Sequence, residues 1–270
     1  MATTATTGEA ATGSAATQRR LSGTWARDFT TLEPKMAPLY EAALDEIGIR
    51  PGTTLLDVGC GPGLFLQLAA ARGATVTGID AAGPFIEIAR ERVPHADLTV
   101  GEMDSLPYPD DSFHVVTGFN VFHIAADPAR ALREARRVGH PGAAVLIATW
   151  GRPEQCDAAD YVRAVGGLPP PPAHGAPGPF ARFGAGALED FAARGGLVPG
   201  ARHEVLCTWA FPDQDALLRA LRSTRFAVKA AERAGEARVG ETALEALAPY
   251  RTGDGGYRLE NVFAYLIATA

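Results

Sequence analysis

Between residues 53 and 150 the chain alternates short apolar runs with segments of helical spacing, and this alternation limits the fold more than any other feature. TTLLDVG reads as a strand, GLFLQLAAARG as a helix closing at a glycine, ATVTGID as a strand, PFIEIARERV as a helix and ADLTVGE as a strand. SFHVVTGFNVF continues as strand and turn, Pro128 to Val138 as a helix, and AAVLIATW as another apolar strand. Strands joined through helices run parallel, and strands that are apolar throughout are covered on both faces. The expectation is an α/β fold with a mostly parallel sheet between two layers of helix.

The turn after the first strand narrows the ligand. LLDVGCGPG, residues 55–63, carries Gly59, Gly61 and Gly63 directly after Asp57. A dinucleotide loop places its third glycine three positions after the second, where this chain has Leu64. A phosphate loop needs the lysine of a GK[ST] ending, which is absent from the sequence. Asp57 itself repels a pyrophosphate and attracts an ammonium group. The loop therefore suits a ligand with a cationic amino-acid end.

Charge and cysteine content exclude other classes. A formal net charge of −6 provides no basic excess for a nucleic-acid backbone or an anionic membrane surface. Cys60, Cys156 and Cys207 are too few and too scattered for a disulfide framework or a zinc cluster, and DSFH and PDD read as a turn and a strand start, so no metal site is expected. Cys60, between two glycines, reads as a residue chosen for fit. Residues 1–20 lack both a basic start and a continuous apolar core, and read as a disordered leader. A cytoplasmic location follows as the expectation.

Flanking regions complete the plan. Residues 21–50 have helical spacing broken by Pro34 and form an N-terminal helical cap ahead of the core at 53–150. After Trp150, GGLPPPPAHGAPGPF reads as a loop or lid, LEDFAARGG as a helix, HEVLCTWAF as a strand and Asp213 to Ala248 as helices. Residues 151–257 are read as the substrate side. The tail, 258–270, is a final strand with Phe263, Tyr265 and Ile267 on one face.

DVGCGPG, the acidic end of GID and the later GEMDSLPYPDDSFHVVTGFNVFHIAADP together resemble the class I S-adenosylmethionine-dependent methyltransferases, in the group of ubiquinone and menaquinone biosynthesis enzymes. The resemblance is close from Thr53 to Trp150. It implies a Rossmann-like fold whose seven-stranded sheet ends in an antiparallel strand, with an inserted helical lid region. It implies S-adenosyl-L-methionine as cofactor, with S-adenosyl-L-homocysteine as product. By the same resemblance Asp57 orients the methionine ammonium, while Gly59, Cys60, Gly61 and Gly63 let the backbone approach. Asp80, followed by Ala81, would accept from the ribose hydroxyls; Met103, Asp104 and Ser105 would hold adenine; Asn120 would sit near the methionine end.

Methyl transfer is an in-line displacement at a sulfonium methyl, so positioning and exclusion of water are the main demands on the protein. A base is needed only for an acceptor protonated at working pH. His123, after the fourth strand, is the candidate base, with packing beside the cofactor as its alternative role. Trp25, Phe29, Trp150, Phe180 and Phe183 are candidate contacts for a flat organic acceptor, an aromatic or polyketide-like small molecule, or else core residues. A non-methyl reaction with the cofactor retained, and a cofactor-binding regulator, are the rival functions. No nucleic-acid or membrane partner is expected, and a homodimer stays open.

Overall fold

A computed structural model describes residues 23–168 and 186–270. The expected leader and most of the proline-rich lid, with Phe180 and Phe183, lie outside the described residues. The N-terminal cap comprises α1 (Gly23–Leu32), a 3-10 turn (Glu33–Met36) and α2 (Ala37–Ile47), with Pro34 at the start of the turn where no helical N–H is lost. Gly48 ends α2 in the left-handed region, φ 68°, and donates to Leu44 O.

The core follows as β1 (Thr54–Val58), α3 (Leu64–Ala71), β2 (Thr75–Asp80), α4 (Gly83–Arg92), β3 (Asp97–Val100), β4 (Phe113–Phe119), α5 (Pro128–Val138) and β5 (Gly139–Trp150). Beyond it come α6 (Ala158–Gly166), α7 (Ala187–Arg194), β6 (Val198–Phe211), α8 (Gln214–Arg222), α9 (Arg225–Ala234), α10 (Glu236–Leu247) and β7 (Tyr257–Thr269). Seven strands form one sheet in the order β3-β2-β1-β4-β5-β7-β6. β1 to β5 are mutually parallel, whereas β7 runs antiparallel to both β5 and β6.

Period-two geometry explains how apolar strands serve two layers at once. Leu55, Val115, Leu146, Phe263 and Tyr265 enter the cluster packed with α2 and α3. Their neighbours Leu56, Val116, Val145, Ile147 and Leu266 enter the opposite cluster, beneath Leu132 of α5 and Phe191 of α7. Asp127 and Pro128 start α5, the Asp127 carboxylate accepting from Arg130 N at 2.9 Å.

Two sequence readings need adjustment. β5 and β6 begin earlier than AAVLIATW and HEVLCTWAF, because register shifts let the chain pair through Phe113/Val115 and through Pro199/Arg202. His203 therefore stands inside β6, stacked on Tyr265, rather than at the strand's start. The helices α8 to α10 stand between β6 and β7, where the helical reading of Asp213 to Ala248 put them.

Candidate functional site

Sheet order reverses between β1 and β4, and in open α/β sheets such a reversal opens a crevice beyond the strands' carboxyl ends. At that edge β1 runs into the glycine loop, β2 ends at Asp80, and β4 is followed by Asn120. Gly59, at φ 72°, and Cys60 donate to Ile79 O at 2.7 and 3.1 Å, fastening the loop to β2. A Cβ at Gly59 would fall 2.4 Å from Val121 Cγ1, so both backbone angle and space require glycine there. Gly63, at φ 85°, is the N-cap of α3 and packs near Ala89 of α4, outside the residues that line the cavity.

Asp57 is 2% exposed and accepts from Thr117 Oγ1 at 2.7 Å. Burial pushes its carboxyl up to about 8, against the lowering effect of the Thr117 bond, and the charges of Asp80 and Glu33 push the same way as burial. Asp80 accepts from Gly61 N at 3.0 Å and Ala82 N at 2.8 Å; burial outweighs these bonds and lifts it to about 6. Carboxyls held this way gain most from a cation placed among them. Asn120 takes φ 57°, rare for a side chain with a Cβ, and its buried Oδ1 has no hydrogen-bond donor. Burial pushes the Cys60 thiol well up, which suits packing rather than nucleophilic attack.

Glu33 was not singled out from the sequence. It is 2% exposed in the turn between α1 and α2, and its Oε1 accepts from Leu64 N, in the first turn of α3, at 3.0 Å. Its Oε2 pairs with Arg92 at 2.5 Å, and Arg92 also donates to Pro62 O at 2.9 Å. The cap is thus tied to the glycine loop through one buried carboxylate, whose carboxyl burial pushes up more than Arg92 pulls it down. An acidic residue lodged between Leu32 and Met36, at apolar helical spacing, was the available signal.

A cavity of about 220 Å³ opens from these groups. Asp57, Gly59, Cys60, Gly61, Asp80, Asn120 and His123 line it together with Glu33. Ring clusters supply much of the remaining wall. Trp25 and Phe29 pack with Phe85, centroids 4.6 and 5.1 Å from it, and Trp150 lies 4.6 Å from Phe263. Ser223, Thr224, Arg225 and Phe226, from the junction of α8 and α9, also line it. Sequence reading missed them, although a Ser-Thr pair before a helix is a capping signal. A narrow adjoining crevice shares Gly59, Asp80 and Val121 with the cavity and adds Ala81, Gly101 and Met103. Asp104 and Ser105 line neither. Among the described residues no group of three or more His, Cys, Asp or Glu could hold a metal ion, and no helix is long and apolar enough to cross a membrane.

Residues 56–147 match the model of a methyltransferase domain family. The 27-O-demethylrifamycin SV methyltransferase of Amycolatopsis mediterranei is 33% identical over 132 residues, 46% of this chain and 48% of that protein. The malonyl-[acyl-carrier protein] O-methyltransferase of Serratia marcescens is 34% identical over 99 residues, 37% of this chain and 39% of that protein. These alignments span less than half of each relative's length. A methyltransferase of Haloferax volcanii, solved in complex with the methyltransferase activator Trm112, shares the fold with a TM-score of 0.60 at 20% identity, over 92% of this chain and 96% of that one.

Proposed function

From a chain whose residues 56–147 belong to the class I S-adenosylmethionine-dependent methyltransferases, in the group of the quinone-biosynthesis enzymes, we propose methyl transfer from S-adenosylmethionine to a small aromatic or polyketide-like acceptor held in the ring-lined cavity. The observation that carries this reading is the cavity's composition: buried acids and an undonated Asn120 Oδ1 on the same wall system as three groups of aromatic rings. The residues present fit the cofactor. Asp57 and Asn120 offer buried acceptors to an ammonium group, Asp80 offers a carboxylate to ribose hydroxyls, and Met103 and Ala81 offer an apolar crevice to a flat base.

When bound, S-adenosylmethionine supplies an electrophilic methyl on a sulfonium. The chain's own contribution is positional. Asp57, fixed by Thr117, and Asp80, fixed by Gly61 and Ala82, hold the donor's polar ends, while Gly59 keeps the backbone close. Trp25, Phe29 and Trp150 orient the acceptor and exclude water. For an acceptor hydroxyl, a ring nitrogen of His123 would take the proton as the oxygen attacks. The Glu33–Arg92 pair keeps the cap, and so Trp25 and Phe29, closed against the loop. Incubation with methyl-labelled cofactor and a panel of phenols, enols and aromatic acids, scored by S-adenosylhomocysteine formed, tests the reading. Stoichiometric product and label on the acceptor support it; tight cofactor binding with no transfer to any acceptor would favour a non-methyl or regulatory role.

A further inference from the structure

Trp209, near the end of β6, points to a group that the methyl acceptor carries, an inference that deepens the methyl-transfer reading above and rests on it. The residue lines the cavity at 3% exposure, and its buried Nε1 has no hydrogen-bond partner among the described residues. Buried N–H groups are paired almost throughout folded chains, and one left without an acceptor bears its full desolvation cost. The acids suited to the cofactor are at the other end of the cavity. In the order β1-β4-β5-β7-β6, four steps separate β6 from the strand that carries Asp57, roughly 19 Å at about 4.8 Å per step. β5 and β6 are both antiparallel to β7, so Trp150 and Trp209 reach the same carboxyl edge, their ring centroids 5.5 Å apart. Trp209 therefore belongs to the half of the cavity left for the methyl acceptor.

The hydroxyls and carbonyl that could answer this donor are engaged elsewhere. Tyr161 of α6 anchors the α8–α9 junction, donating to Leu221 O at 3.0 Å and lying 2.6 Å from Thr224 Oγ1. In the same junction Ser223 Oγ donates to Ala220 O, and Thr224 Oγ1 to Leu221 O at 2.7 Å. Ala210 O, next along β6, accepts from Lys35 Nζ at 2.6 Å. Beside Trp209 the wall is aromatic, with Phe263 stacked at 6.3 Å and Trp150 edge-on. An occupant with an oxygen at this point supplies the missing bond. A phenol there would bring a hydrogen that needs its own acceptor, and a carboxylate would bury a charge against rings; a carbonyl oxygen accepts and brings neither. We propose that the methyl acceptor is an aromatic ketone whose carbonyl oxygen, remote from the methylated atom, accepts from Trp209 Nε1, and that Trp209 selects it.

The test uses the full chain, wild type and Trp209→Phe, saturated with S-adenosylhomocysteine. Each is titrated calorimetrically with 6-acetyl-2-naphthol and with 6-isopropyl-2-naphthol, which lacks the carbonyl. The ketone's advantage over the isopropyl compound should fall about 5- to 20-fold from wild type to variant, the loss of one hydrogen bond to a buried donor. A second readout needs only the wild-type site: the indole N–H resonance of Trp209 in isotope-labelled protein should move downfield with the ketone more than with the isopropyl compound. Trp25→Phe and Trp150→Phe identify that resonance by elimination among the three tryptophans. An unchanged affinity ratio in a folded variant, an indole resonance that the ketone moves no further than the isopropyl compound does, or binding of neither naphthol overturns the Trp209 assignment while leaving methyl transfer standing. Failure of S-adenosylhomocysteine to bind the wild type overturns the methyl-transfer reading and this inference with it.

Discussion

Replacing Asp57 by Asn should make the ligand-free protein more stable and the cofactor complex weaker. The carboxyl is raised from its ordinary value near 3.8 to about 8, chiefly by burial. A carboxyl raised on folding holds its proton more tightly in the folded chain, so the stability associated with it is full below about pH 4 and is lost as pH rises toward 8. At pH 7 the loss relative to an unshifted carboxyl is roughly 4 kcal/mol. Asparagine has no charge to bury and keeps an oxygen for the Thr117 hydroxyl. It still buries an amide, so about half the gain, ~2 kcal/mol at pH 7, is the expected result. The same change removes a charged acceptor for the ammonium and should weaken S-adenosylhomocysteine binding about 10- to 100-fold. Urea unfolding at pH 5, 7 and 8.5 reads the first effect: the gap between variant and wild type should widen with pH, with the remaining slope supplied by Asp80. Parallel stability curves, or a variant less stable at pH 8.5, would refute the claim that Asp57 is held against its charge.

Other substitutions probe the remaining parts. Asp80→Ala deprives Gly61 and Ala82 N–H of their acceptor and should lower cofactor affinity by more than about tenfold; unchanged affinity by calorimetry would remove the ribose assignment. His123→Ala should lower turnover about 10²- to 10⁴-fold on a hydroxyl acceptor with cofactor affinity intact, and normal turnover across pH would sink its role as base. Arg92→Ala leaves Glu33 buried without its ion partner and should cost about 3–5 kcal/mol in urea unfolding. Restoration of wild-type stability by Glu33→Gln in the Arg92→Ala background is the accompanying expectation, since the amide keeps the bond from Leu64 N without a charge.

The parts of this site that could be read from the sequence are those with a local signature. Strand and helix periods between 53 and 150 carry the sheet's order of elements, because burial on two faces leaves its mark on every residue of a strand. Asp57, Gly59 and Asp80 could be placed because the loop and the strand ends are fixed by backbone geometry within a few residues. Glu33 and Arg225 could not. Each gains its place from a contact far along the chain, Glu33 from Leu64 and Arg92, and Arg225 from the Tyr161 anchor of its junction, and neither contact has a period or a spacing. Gly63 could be placed in the turn, but its packing against Ala89 could not, since that contact comes from a helix further along the chain.

The central claim is that buried acids at the glycine loop wait for a cation. Its most direct measurement is calorimetric titration of the wild-type protein with S-adenosylhomocysteine at pH 7 in buffers of different ionisation enthalpy, which counts protons exchanged on binding. With Asp57 near 8 and Asp80 near 6, an ammonium group seated against Asp57 should drive release of close to one proton per molecule bound. Tight binding with no buffer dependence would contradict the account.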